Sequence, residues 1–234
     1  MLVLVTGASG FVGSHITQTL LDEQIKVRVV SRSIKDTADI EWSNMAKIFI
    51  TENLFKEPQE NLCKLLEGVD IVIHAAWYAE PGKYLDSEKN LECLEGTLSL
   101  AKAASQVGVK KFVGIGTCLE YGESQERLNV DSPLDPISLY ASSKAACYRE
   151  LDKFCENIDM DFAWARLFYL YGAREDSRRL VPYLKRRLFE REIAIVVNAC
   201  FNTKLLHVIA SSNASSKSKN SSLVLVPLIV VAEE

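Results

Sequence analysis

The sequence predicts an α/β fold built on a parallel sheet, and three observations predict it. Apolar β-type runs alternate with helical stretches along most of the chain. The runs are continuously apolar, as in strands buried on both faces. The first of them, Leu2 to Val5, enters a turn with glycines at Gly7, Gly10 and Gly13, and an amphipathic stretch from Ser14 to Leu21 follows. Strand, glycine turn and helix N-terminus in that order can receive the diphosphate of a dinucleotide. In such a turn Gly7 permits the tight bend, Gly10 lets backbone approach the phosphates, and Gly13 lets the helix pack on the strand.

The remaining elements follow in register. Lys26 to Ser31 reads as a second strand, Lys47 to Thr51 as a third and Asp70 to Ala76 as a fourth. Leu91 to Val107 has helical spacing with small alanine positions, and Gly108 ends it. Lys111 to Gly116 is a fifth strand, Tyr140 to Asn157 a long helix and Asp161 to Leu167 a sixth strand. Helices then cover both faces of the sheet, and a ligand lies outside the carboxyl ends of the strands. Gly7, Ala75, Ala76 and Thr117 fall at such ends. The pattern holds to about Glu192. Beyond it come Ile193 to Val197, an irregular stretch, a Ser, Asn and Lys tract from Ser211 to Ser222 with flexible-linker composition, and an apolar tail from Leu223.

Composition narrows the function classes. The 234 residues are 48% hydrophobic and 25% charged, as in an ordinary globular protein with a sizeable core. A net charge of −4 gives no reason to expect nucleic acid or an anionic membrane as partner. The first strand begins at residue 2 and leaves no room for a leader's apolar region, and the late run Leu223 to Ala232 is too short to span a bilayer. A cytoplasmic location is expected. Cys63, Cys93, Cys118, Cys147, Cys155 and Cys200 show no metal or redox spacing, so they read as reduced, small apolar residues and no metal is expected.

Tyr140-Ala-Ser-Ser-Lys144 opens the long helix. A spacing of four puts the hydroxyl and the ammonium on one face. A free phenol titrates near ~10, and a nearby ammonium favours the phenolate, which brings the tyrosine toward acid–base work at neutral pH. Thr117 supplies a third group, a hydroxyl at a strand end. On its own, Tyr and Lys four apart also describes a half-buried ring beside a solvated charge.

Five motifs in order, TGASGFVG (Thr6 to Gly13), DIVIHAA (Asp70 to Ala76), GTCLEYG (Gly116 to Gly122), YASSK (Tyr140 to Lys144) and RLFYLYG (Arg166 to Gly172), resemble the extended short-chain dehydrogenases/reductases, in particular the NAD-dependent epimerase/dehydratase group acting on nucleotide sugars. The resemblance implies a Rossmann doubly wound domain over residues 1–170. It also implies a smaller substrate-binding part from 171 to 234, here incomplete and atypical from about 193. It makes Tyr140 the general acid/base, gives Lys144 the nicotinamide ribose and Thr117 the reacting carbonyl. Gly7, Gly10, Phe11, Val12, Gly13, Arg32, Asn53, Leu54, Ala75 and Ala76, with Tyr140 and Lys144, form the cofactor site. A homodimer through Leu91 to Val107 and Tyr140 to Asn157 is implied as well.

Particular positions refine this. Dehydratases of the group carry acids directly after the catalytic Thr, where this chain has Cys118 and Leu119. Dehydration is therefore disfavoured, and ketone reduction or epimerisation through a 4-keto sugar remains. GTCLEYG most resembles 4-ketoreductases. Glu120 reads as a structural carboxylate. Ser31-Arg32-Ser33 stands where an acid would bond the ribose of NAD, so NADP(H) is expected, with NAD the alternative. Asn53 replaces the usual adenine-binding Asp, and Tyr169 an Asn that meets the sugar nucleotide. His15 and His74 read as packing residues. The basic run from Arg174 to Arg191 meets a substrate diphosphate or is a solvated face. A cofactor-binding module without turnover and a reductase of a non-sugar ketone are the other readings.

Overall fold

A computed structural model describes residues 1–37, 40–122 and 128–190. The expectations for the polar tract and apolar tail, for Arg191 and for Cys200 lie outside the described residues. Six strands form one sheet: β1 (Leu2–Thr6), β2 (Lys26–Ser31), β3 (Lys47–Ile50), β4 (Ile71–His74), β5 (Lys111–Thr117) and β6 (Asp161–Leu167). Their order is β3-β2-β1-β4-β5-β6, and every neighbouring pair is parallel. The chain starts in the middle, runs outward to β3, then returns to the other side of β1. The direction of winding reverses between β1 and β4, where a doubly wound sheet opens a crevice.

Alternation along the strands builds the two layers. Val3 and Val5 of β1 join Val27 and Val29 of β2 on one face, under Ile16 and Leu20 of α1 (Phe11–Asp22) and the fully buried Trp42. Leu4, between those valines, faces the opposite side with Val72 and Phe112. There it meets α2 (Gln59–Leu66), α3 (Lys89–Gln106) and α4 (Leu139–Asn157) through Leu62, Leu100 and Leu151. A fifth helix, α5 (Leu180–Phe189), closes the described chain. Among the described residues no helix is long and apolar enough to cross a membrane.

The strands fall where the sequence places them to within a residue or two at their ends: β1 and β5 run one residue further, to Thr6 and Thr117, while β3 stops at Ile50 and β4 spans only Ile71–His74. Hydrogen bonding nonetheless continues past β4, since the Ala75 N–H donates to the Thr6 carbonyl at 3.2 Å. The sequence reading passed over α2, whose eight residues carry only Leu62, Leu65 and Leu66 as buried positions. Phe112, the second residue of β5, is wholly excluded from solvent. Phe112→Ala is expected to cost about 3–5 kcal/mol, the usual range for emptying an aromatic core site, read as a lower urea midpoint at unchanged slope.

Candidate functional site

The turn after β1 is shaped by backbone contact. Gly7 has φ +70°, and a Cβ there would stand 2.6 Å from the Ala76 nitrogen. A Cβ at Gly13 would collide with the Gly7 carbonyl, so α1 lies directly on the turn. Gly10 caps α1 without a side chain, which leaves the N–H groups of Phe11, Val12 and Gly13 open toward the crevice as an anion-binding end. A cavity of about 1550 Å³ runs from this turn past Arg32 and Asn53, along Ala75 and Ala76, to Thr117, Tyr140 and Lys144. The turn, packed too closely for a Cβ at Gly7 or Gly13 and followed by the uncapped start of α1, fits a dinucleotide diphosphate.

One directional chain of hydrogen bonds fixes the strand ends. The Thr97 hydroxyl donates to the Cys93 carbonyl at 2.7 Å, so at its 2.9 Å contact with His74 Nε2 it accepts. Nε2 therefore carries the ring proton. Nδ1 must accept, at 2.8 Å, from the Thr6 hydroxyl, whose oxygen in turn accepts from the Ala76 N–H at 3.2 Å. Burial, with the Lys144 ammonium nearby, pulls His74 down to about 3 and keeps it neutral. It is the packing residue the sequence suggests, and it also holds the wall of the glycine turn.

Thr117 ends β5 and is buried. Its side chain accepts from the Leu119 N–H at 3.3 Å, and its own N–H donates to Glu120 Oε1 at 2.8 Å. Glu120 is fully buried and also accepts from Trp164 Nε1 at 3.1 Å and Arg166 Nε at 2.7 Å. Arg166 is sandwiched between rings, 4.4 Å from the Tyr148 centroid and 5.1 Å from that of Tyr121. Glu120 is thus structural, as its residue type suggested, and it is the hub beneath Thr117.

Ser138 caps α4 by accepting from the Ala141 N–H, which sets the register that presents Tyr140 and Lys144 on one face. The electrostatics differ from the expectation of a tyrosine lowered by its lysine. Burial, with Tyr84 adding to it, raises the Tyr140 hydroxyl above its ordinary range, and the Thr117 hydrogen bond opposes this only in part. The Lys144 ammonium points instead to the Ile115 carbonyl at 2.7 Å and to the face of Trp77, 3.8 Å from the ring centroid. Burial pulls this lysine down to about 8.

The far end of the cavity is less open-handed. Asn53 accepts from the Phe55 N–H at 3.0 Å and donates to Glu92 at 2.7 Å, so its side chain is largely spent on local structure. Leu54 is buried behind it. Arg32 is mostly exposed on the cavity rim, 3.7 Å from the Asp36 carboxylate. His15 contacts the Ala173 carbonyl at 3.0 Å, tying α1 to the loop after β6. Arg178 is bound by Asp176, while Arg174 and Arg179 line the cavity with the exposed Tyr169. Sequence reasoning missed Trp77, Tyr84 and Asn90. The aromatic pair directly after His74-Ala-Ala was the available signal.

The signature of the NAD dependent epimerase/dehydratase family matches residues 3–208, and the chain belongs to that family. It is 29% identical over 192 residues to an uncharacterized UDP-glucose epimerase of Bacillus subtilis (strain 168), a match spanning 75% of this chain and 58% of the relative. With a dTDP-D-glucose 4,6-dehydratase of Mus musculus it shares 30% identity over 193 residues, 77% of this chain and 53% of the relative. The chain thus spans about half the length of the curated relatives it matches. A UDP-glucuronic acid 4-epimerase from Bacillus cereus, solved with NAD, superposes with a TM-score of 0.68 at 26% identity, covering 82% of this chain and 64% of that one. The Rossmann-type α/β fold and the membership in the NAD dependent epimerase/dehydratase family are thereby fixed.

Two outcomes follow from the buried groups. Because His74 is held neutral at a pKa below its unfolded value near 6.5, the unfolded chain binds the extra proton. Its contribution is complete above about pH 6.5 and is lost as pH falls toward about 3. The urea midpoint of the parent should fall over that window more steeply than that of His74→Gln. Glu120→Ala leaves Arg166 buried and unpaired and is expected to cost about 3–5 kcal/mol by chemical denaturation.

Proposed function

We propose that the chain is a cofactor-dependent oxidoreductase of nucleotide sugars and that its reaction is reduction of a 4-keto sugar nucleotide. The observation that carries this reading is the meeting of Thr117, Tyr140 and Lys144 at the end of the cavity that begins at the glycine turn. In a reduction a nicotinamide held there would supply the hydride to the carbonyl carbon. Thr117 holds the carbonyl oxygen, and Tyr140, kept protonated by burial, gives its proton to that oxygen as the C–O bond becomes single. Solvent then restores the proton to Tyr140. Lys144 holds the ribose and keeps the site electropositive as the oxyanion develops. Cys118 and Leu119 carry no acid to expel water, which supports reduction over dehydration. The relatives' names favour a second reading, epimerisation through a transient ketone, in which Tyr140 would first act as base.

Arg32 with Ser31 and Ser33 supports NADP(H), its guanidinium being free to leave a 3.7 Å ion pair for a 2′-phosphate. Gly7, Gly10, Phe11, Val12 and Gly13 would hold the diphosphate, Ala75 and Ala76 the opposite wall, and Asn53 with Leu54 the adenine end. The same reading divides the chain into a cofactor-binding body over 1–170 and a substrate-binding part from 171. It pairs two copies through α3 and α4, and Leu91, about half exposed, belongs to that surface. A mass in solution independent of concentration would sink the pairing.

NADPH oxidation with a 4-keto sugar nucleotide tests the reaction. Tyr140→Phe should lower kcat by about 10²–10⁴-fold with cofactor Kd unchanged. Tight cofactor binding with no turnover of any keto sugar nucleotide would instead favour a binding module or a different ketone. Arg32→Ala should weaken NADPH binding about 10- to 100-fold and leave NADH binding as it was, since a charge-assisted contact to the 2′-phosphate is worth about 1.5–3 kcal/mol. Equal loss for both cofactors would reject the phosphate contact.

A further inference from the structure

The ammonium of Lys144 is nearly wholly buried, yet among the described residues no carboxylate lies within ion-pair distance of it. Its compensation comes from the Ile115 carbonyl at 2.7 Å and the Trp77 face at 3.8 Å, with the Trp164 ring farther off at 5.8 Å. The indole itself is fixed from behind. Its N–H donates at 2.9 Å to Asn90, which is completely buried and donates in turn to the carbonyls of Tyr84 at 2.6 Å and Ser87 at 2.8 Å. Asn90 therefore sets both Trp77 and the segment bearing Tyr84. Those two rings stand edge-on to Tyr140, at 6.4 and 4.8 Å between centroids.

We propose that Trp77 is a positioning residue for Lys144: its indole face clamps the ammonium against the Ile115 carbonyl, beside Tyr140, so that the cation meets the cofactor ribose already charged and aimed. This deepens the reading above, in which Lys144 holds that ribose. A π face attracts the cation without occupying it as a carboxylate would, and the ammonium keeps N–H bonds for hydroxyl oxygens. The titratable groups that face Lys144 are His74 at the end of β4, Cys93 of α3, Glu120 after β5, and Cys147 and Tyr140 on its own helix. Glu120, although it acts on Lys144, is already paired with Arg166. Trp77 is left as the neighbour whose removal uncovers the charge.

The test is a pH titration of the ligand-free protein carrying lysines labelled with ¹³C at Cε, the Lys144 signal being identified by its loss in Lys144→Met. The parent should titrate at about 8. Trp77→Leu should lower the midpoint by about half to one unit, and Trp77→Phe, which keeps a weaker ring, by less. NADPH affinity should then fall about two- to fivefold at pH 8 and hardly at pH 6.5, where the lysine is charged in either protein. An unmoved midpoint, or a loss of affinity equal at both pH values, would overturn the proposal and reduce Trp77 to packing; should Trp77→Leu not fold, Trp77→Phe decides by the same two readouts. If the midpoint moves and the parent binds neither NADPH nor NADH, the clamp stands and the reading of the cavity as a cofactor site falls.

Discussion

Two lengths of backbone touch at the top of the sheet, the turn at Gly7 and the end of β4 at Ala75 and Ala76, and the site is arranged around that contact. It leaves no room for one carbon atom at Gly7. Beside it, a Cβ at Gly13 would strike the Gly7 carbonyl, so α1 begins directly over the turn. The contact is held by side chains rather than by the sheet ladder alone. Thr6, the neutral His74 and Thr97 connect β1, β4 and α3 in a line that accepts protons in one direction only. A hydrophobic residue of equal size at any of the three would leave a buried polar partner unsatisfied, which usually costs more than the hydrogen bond itself contributes.

Buried charge is handled in two ways within the same site. Glu120 and Arg166 form an ion pair whose remaining oxygen, nitrogen and ring contacts are nearly all supplied, so the pair braces Thr117 from below. Lys144 has no such counter-charge among the described residues and sits between a carbonyl and an indole. The first arrangement fixes geometry. The second keeps a cation ready for a partner that arrives from solution, and the lysine's lowered pKa is the cost of that readiness.

The fold was largely legible in the sequence because its signals are local. A glycine turn after an apolar run, and strands apolar throughout, reveal a parallel sheet without knowledge of which strand lies beside which. The helix α2 escaped because eight residues with three apolar positions make a weak periodic signal. The site was legible in part. Tyr140 and Lys144 share a face by spacing alone, but the charge state of each depends on groups far away in the chain. Trp77 stands sixty-seven positions before Lys144, and Ile115 offers only its carbonyl, which no side-chain pattern encodes. Asn53 shows the converse, a residue whose type fits adenine and whose hydrogen bonds go to Phe55 and Glu92.

The line through Thr6, His74 and Thr97 has a consequence for how such a sequence can change over generations. Each member is both donor and acceptor, and each needs its neighbour to play the complementary part. Replacing one alone breaks the line at a buried point, while replacing all three by well-packed apolar residues leaves only the part-buried Ala76 N–H without its side-chain acceptor. The three positions, distant in the chain, should therefore be inherited as a unit. Descendants that keep the histidine should keep both threonines or other hydroxyl residues, and those that lose it should lose the whole line together.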